Sequence, residues 1–169
     1  RDPHIGVNNA CINFNAPFSE VDFEIFARIQ KVNVFAPFVF CQAAIIGMQK
    51  RNWGRIVNIS SIWGKASKSN RAAYSASKFA LDGITLAIAA EHTVNGIIAN
   101  CVAPGFIDTE LTRSTVKPED LTEIVSSVPA KRLGSVSEIA NFVAWLVSDE
   151  NTFVAGQNLS IDGGFSRAR

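Results

Sequence analysis

Apolar residues in this chain fall into short β-branched runs separated by longer stretches with helical spacing. Residues 5–10, Ile5-Gly6-Val7-Asn8-Asn9-Ala10, predict a short strand ending in turn formers. Gly6 weakens it, because glycine offers no side chain to pack. Across residues 20–50, Phe23, Phe26, Ile29, Val32, Phe40, Ala43, Ala44 and Met48 recur at helical spacing, with a break around Pro37. That predicts two helices or one kinked helix. After the turn Asn52-Trp53-Gly54, residues 55–60 form a compact β-branched run that predicts a buried strand. A Ser/Lys/Gly-rich loop follows, then an Ala-, Leu- and Ile-rich helix over Ala72–His92, stopped by Asn95-Gly96. Residues 97–102 are the next strand, residues 136–147 a periodic helix opened by Ser135, and residues 157–161 the last strand, ahead of Asp162-Gly163-Gly164. The intervening 108–132 stretch is polar and interrupted by Pro118 and Pro129, which predicts short helices on a mobile segment.

Strands alternating with helices imply βαβ crossovers and a parallel sheet covered on both faces. The predicted fold class is therefore α/β, a doubly wound, Rossmann-like parallel sheet, in a single domain over residues 1–169. The chain opens on Arg1-Asp2-Pro3 and enters an apolar run within a few residues, the pattern expected of a start inside a larger protein.

Composition narrows the function classes. With 47% hydrophobic residues the chain can build a sizeable core, and 16 Lys and Arg against 15 Asp and Glu leave no charge excess for nucleic acid or an anionic membrane surface. A small, neutral or locally oriented substrate is the expectation, with no nucleic-acid and no membrane partner. Cys11, Cys41 and Cys101 are odd in number, far apart and set in apolar runs. They predict free thiols in a reducing compartment, hence a cytoplasmic address, and no metal site. No apolar stretch approaching the roughly 18 residues of a membrane span is expected.

Tyr74-Ser75-Ala76-Ser77-Lys78 places a phenol and an ammonium four residues apart, on one helical face. An unperturbed tyrosine titrates near ~10, and a nearby cation favours the phenolate, bringing it toward the working range of an acid/base. Ser61 lies thirteen residues before Tyr74 at the end of a predicted strand, where ligand sites open in parallel sheets. Its hydroxyl can donate to a carbonyl. Asn33 interrupts an apolar helical stretch, and a buried amide there needs partners, in either a local packing bond or a polar relay. Pro104-Gly105, with Thr109 four residues on, makes a tight strand exit that lets backbone approach a ligand.

In order and spacing, Asn8-Asn9-Ala10, Asn33, Asn58-Ile59-Ser60-Ser61, the Tyr74 to Lys78 pentapeptide, Pro104-Gly105, Gly156-Gln157 and Asp162-Gly163-Gly164 resemble the short-chain dehydrogenase/reductase family over essentially the whole chain. Val128-Pro129-Ala130-Lys131-Arg132-Leu133-Gly134 with Glu138-Ile139-Ala140 is similar to the 3-oxoacyl-(acyl-carrier-protein) reductase branch. The resemblance implies a nicotinamide cofactor, NADP or NAD, and a ketone or secondary-alcohol substrate, foremost a 3-oxoacyl thioester, possible acyl-carrier-protein linkage included. It assigns Tyr74 as acid/base and Lys78 as the group that lowers its pKa and bonds the nicotinamide ribose. Ser61 would polarise the carbonyl, and Asn33 would hold a water linking Lys78 to solvent. Asn9 and Ala10 would lie by the adenosine side, Pro104, Gly105, Ile107 and Thr109 at the nicotinamide end, and residues 108–132 would be the substrate lid. It also implies a homo-oligomer, dimer or tetramer, assembled through the two long helices.

The family's Thr-Gly-x-x-x-Gly-x-Gly turn is not in these 169 residues. The resemblance places their start at a fourth strand, with about 80 residues of βαβ structure expected before it. Cys11 stands where the family has glycine, Gly6 where a large apolar residue is expected, and Ala155 where threonine is common. Alternative readings are a sugar, polyol or steroid alcohol dehydrogenase of the same family, and a non-catalytic product that binds subunits or a partner.

Overall fold

A computed structural model describes residues 2–168. Four parallel strands, β1 (Ile5–Asn8), β2 (Gly54–Ile59), β3 (Ile97–Pro104) and β4 (Asn158–Ile161), pair in the order β1-β2-β3-β4. Since neighbours in a parallel sheet need crossovers, each gap is filled by helix: α1 (Phe23–Gln30) and α2 (Ala36–Arg51), then α3 (Ala72–His92), then α4 (Glu110–Thr115), α5 (Pro118–Ser127) and α6 (Val136–Leu146).

The central strands β2 and β3 are buried on both faces because both are covered, whereas Ile5 and Val7 of the edge strand β1 are exposed. Ile56, Ile97 and Ala99 point into one core with Cys41, Ala44, Ile45, Met48 and Ile88 of α2 and α3. Val57 and Val102 point the other way, against Leu146, Ile139, Phe142 and Val143 of α6. Gly6, the weak point of β1 on sequence grounds, has a packing reason: a Cβ there would lie 2.5 Å from Phe40 Cε1, so the ring of α2 fills the space where a larger side chain would stand. Capping holds α6 in place, with Ser135 Oγ accepting from Glu138 N at 3.2 Å and Glu138 Oε2 accepting from Ser135 N at 2.7 Å.

The break expected near Pro37 falls earlier. α1 and α2 form one continuous run joined by a π-helical turn at Lys31–Phe35, in which Ala36 N donates to Lys31 O, five residues back. Pro37 has no N–H to give the carbonyl of Asn33, its ordinary helical acceptor, and the widened turn absorbs this mismatch without ending the helix. The resulting run, Phe23–Arg51, is 29 residues long and by length and composition apolar enough to cross a membrane, contrary to the expectation of no such stretch. One side of it, including Ile29, Cys41, Ala44 and Met48, is buried in this domain, and a core helix passes the same test.

Candidate active site

All four strands end at the same edge of the sheet, which brings the turns after Asn8, Ile59, Pro104 and Ile161 together, where parallel α/β sheets open their ligand sites. Ser61, buried, leaves β2 and caps a short 3-10 turn, Ile62–Gly64, by accepting from Trp63 N at 3.2 Å. Gly64 lets this turn settle onto α3. A Cβ at Gly64 would come within 2.9 Å of the Lys78 backbone oxygen and of its Cβ, too close for any other residue.

The structure brings Ser61, Tyr74 and Lys78 together. Ser61 neighbours the Tyr74 phenol and favours its ionised form, and Lys78 Nζ sits 5.5 Å from the Tyr74 ring centroid. Lys78 is 1% exposed, and its ammonium donates to Ile59 O at 2.7 Å. Burial lowers its pKa, opposed by the Cys11 and Cys101 thiols. The polypeptide alone does not bring Tyr74 down in pKa: desolvation is the largest influence and pushes it up to about 12, with Cys11 adding to the rise and Ser61 and Arg71 opposing it.

The Asn33 side chain makes packing bonds. Its Nδ2 donates to Ile12 O at 2.9 Å and to Ser77 Oγ at 3.0 Å, and its Oδ1 accepts from Ile12 N at 2.9 Å. The buried amide therefore ties the loop after β1 to the helix bearing Tyr74 and Lys78. A second polar chain, not anticipated from sequence, crosses the sheet: Asn8 Nδ2 donates to Asn58 Oδ1 at 2.7 Å, and Asn58 Nδ2 to Thr85 Oγ1 at 2.8 Å.

Asn9 and Ala10 are exposed on the loop after β1, at the same sheet edge. Pro104 closes β3, and Gly105 N donates to Ile161 O at 2.9 Å. Ile107 bridges Gly134, while Asp108 N donates to Gly134 O at 2.8 Å, so the excursion carrying α4 and α5 is pinned at its base. Thr109 caps α4, its Oγ1 accepting from Thr112 N at 3.1 Å.

Beneath that excursion opens a cleft of about 730 Å³ whose residues the motif reading did not single out. Trp63, Phe106 and Phe165 form its wall, in edge-on contacts with ring centroids 5.1 to 6.4 Å apart. Lys68 and Arg71 also line it. The available sequence signal was the run of cations Lys65, Lys68 and Arg71, three apart and without a carboxylate, between Ser61 and Tyr74.

The residues present suit the nicotinamide end of a dinucleotide. An ammonium has three donors, and among the described residues Lys78 spends one, on Ile59 O, leaving a buried cation able to bond ribose hydroxyls.

This fold and site define a short-chain dehydrogenase/reductase, and the chain belongs to that family: residues 2–166 match the family model described as enoyl-(acyl carrier protein) reductase. Similar curated proteins include acetoacetyl-CoA reductase of Cupriavidus necator, 37% identical across 94% of this chain and 64% of that protein, and 3-oxoacyl-(acyl-carrier-protein) reductase of Escherichia coli, with the same three values. The chain thus spans about two-thirds of their length, at 64%. Among solved structures, gluconate 5-dehydrogenase from Burkholderia cenocepacia in complex with NADP and tartrate superposes with a TM-score of 0.94 at 33% identity, covering 98% of this chain and 65% of that one. A blue fluorescent protein from a metagenomic library in complex with NADPH gives 0.89 at 35% identity, over 98% and 66% of the two chains.

Proposed function

We propose that the protein is a nicotinamide-dependent oxidoreductase interconverting a ketone and a secondary alcohol, foremost a 3-oxoacyl thioester reductase using NADPH. The observation that carries this is the convergence of Ser61, Tyr74 and the buried, under-bonded Lys78 at the carboxyl edge of the sheet. NADP and NADPH in the structural relatives support the choice of cofactor, as acetoacetyl-CoA and 3-oxoacyl reductases among the curated relatives support the substrate class.

When bound, the nicotinamide supplies the hydride. Tyr74 delivers the proton to the carbonyl oxygen, and Ser61, beside the same phenol, orients that oxygen and stabilises its developing charge. In the polypeptide by itself this phenol is protonated at neutrality, the form that donates to the carbonyl oxygen. Lys78 would bond the ribose and bring positive charge near the phenolate left after transfer. Both Nδ2 hydrogens of Asn33 are spent, on Ile12 and Ser77, and its Oδ1 is engaged by Ile12 N. Its part in a relay therefore falls to its backbone carbonyl, whose usual helical donor position is Pro37. Asn9 and Ala10 would border the adenosine, and Pro104, Gly105, Ile107 and Thr109 the nicotinamide, with residues 108–132 as lid. A cytoplasmic homo-oligomer is the proposed state, and the apolar side chains left exposed on the long helices, such as Phe38, Ile46 and Leu86, suit subunit contact.

A sugar-acid or polyol dehydrogenase is the second reading, favoured by the superposition on gluconate 5-dehydrogenase. The test is NADPH oxidation by the complete enzyme with acetoacetyl-CoA, and NADP reduction with D-gluconate. Turnover with acetoacetyl-CoA, abolished by Tyr74→Phe, is expected. Turnover with gluconate alone moves the assignment to the second reading.

A further inference from the structure

Cations in the loop between Ser61 and Tyr74 have different fates. Lys65 is spent, its Nζ donating to Asn158 O at 2.7 Å and Ser160 Oγ at 3.0 Å. Lys68 is exposed and lies over the Trp63 ring, 5.3 Å from its centroid. Arg71 sits at the N-cap of α3, half-buried, and no carboxylate among the described residues pairs with it. It is close enough to Tyr74 that the two bias each other's titration. Burial lowers the Arg71 pKa, yet a guanidinium stays charged at any ordinary pH. Partial desolvation without a partner is costly, and an anion arriving in the cleft offsets that cost.

Two carboxylates, Asp120 and Glu123, line the far side of the same cleft from α5. Both are exposed, so solvent and salt screen them, whereas the half-buried guanidinium acts through a lower effective dielectric. Of the charged groups that line this cleft, Arg71 therefore acts most strongly on a ligand within it. The remaining wall is the Trp63, Phe106 and Phe165 cluster, which suits an apolar or ring-shaped portion.

Building on the oxidoreductase reading above, we propose that Arg71, assisted by Lys68, is a specificity-determining residue that binds an anionic group of the substrate, a carboxylate or a phosphate, while the uncharged part lies against the aromatic wall. Neutral ketones and alcohols of the same shape are then the poorer substrates. Position matters as well as charge, because Arg71 stands three residues ahead of Tyr74 and so fixes which carbonyl reaches the phenol.

The experiment uses two matched pairs, 4′-phosphopantetheine against pantetheine and D-gluconate against D-glucitol, titrated calorimetrically into the 169-residue chain and into Arg71→Met, Arg71→Lys and Lys68→Met. Circular dichroism confirms folding of each variant. The charged member of at least one pair is expected to bind about tenfold more tightly, the scale of one partly desolvated charge-assisted contact. Arg71→Met should erase that preference, Arg71→Lys should restore part of it, and Lys68→Met should weaken it less. Discrimination in the first pair identifies a phosphate ligand, in the second a carboxylate. Equal binding within both pairs, or a preference that survives Arg71→Met, overturns the proposal. Because no cofactor or turnover enters this measurement, its failure is separate from failure of the oxidoreductase reading, which rests on loss of turnover in Tyr74→Phe.

Discussion

Asn33 and Ile12 exchange two reciprocal hydrogen bonds of 2.9 Å, the amide of one grasping both backbone polar groups of the other. Through Ser77 the same amide reaches α3, so one side chain fixes the distance between the loop after β1 and the helix that carries Tyr74 and Lys78. Replacing it by alanine strands the Ile12 N–H and C=O and one partner of Ser77 together.

The expected cost of Asn33→Ala is about 2–4 kcal/mol, from several polar groups left without partners at ~1–3 kcal/mol each when fully buried and less where water reaches them. Chemical denaturation of the parent and variant chains measures it. A change under about 0.5 kcal/mol, the range of ordinary surface substitutions, would mean that the amide does not organise this loop.

Ser61 and Ser77 separate chemistry from architecture. Ser77 is fully buried, donating to Tyr74 O at 2.7 Å and accepting from Asn33 Nδ2, so Ser77→Ala should cost about 1–2 kcal/mol of stability with a secondary loss of turnover. Ser61→Ala should leave the melting temperature within a few degrees while lowering turnover of the complete enzyme about 10²-fold or more, the scale of one lost oxyanion donor. If the two variants show the same ratio of turnover loss to stability loss, Ser61 has no special contact with the carbonyl.

Patterning made the βαβ framework legible because β-branched runs and helical spacing answer to the same burial that the sheet imposes on Ile56 and Val57. The π-helical turn was not legible, since Pro37 signals a missing donor but not where the chain will absorb it. Ser61, Tyr74 and Lys78 could be found because they lie on rigid elements at motif spacing. Arg71 was signalled only by a run of cations without a carboxylate, and its meeting with the Trp63, Phe106 and Phe165 wall was not legible, because it depends on three turns that only the assembled sheet brings to one edge. Thr85 escaped notice for a similar reason: a threonine in an apolar helix declares no partner until Asn58 is placed opposite it.

At the start of α6, Arg132 and the capping interactions with Ser135 hold Glu138 down to about 2, hydrogen bonding to Arg132 being the largest cause. A carboxylate depressed from 4.5 contributes stability that is fully present above about pH 4.5 and is lost as pH falls through about 2. Glu138→Gln should therefore flatten the acid limb of the stability curve between those values. Urea midpoints from pH 2 to 6 for both chains provide the check. Parallel curves would show that the pair is screened into insignificance at this exposed position.

Tyr74 is the only tyrosine in the chain, so the ultraviolet absorbance of the phenolate reports this one group. Desolvation pushes it up from 10.0 to about 12, and Arg71 pulls against that rise. A group whose folded pKa is raised contributes stability that is fully present below the unfolded value near 10 and is lost as pH rises through about 12. Spectrophotometric titration of the folded chain should give a midpoint well above 10, and guanidinium-unfolded chain one near ~10. Arg71→Met should move the folded midpoint higher still, because it removes a cation that favours the phenolate, and Ser61→Ala should do the same by removing a hydroxyl that favours it. Alkaline unfolding, followed in parallel by circular dichroism, sets the upper limit of the readable range. A folded midpoint at or below 10 would falsify the view that the polypeptide by itself keeps this phenol protonated. The lowering of its pKa would then belong to Lys78 in the protein as it stands, before any cofactor arrives.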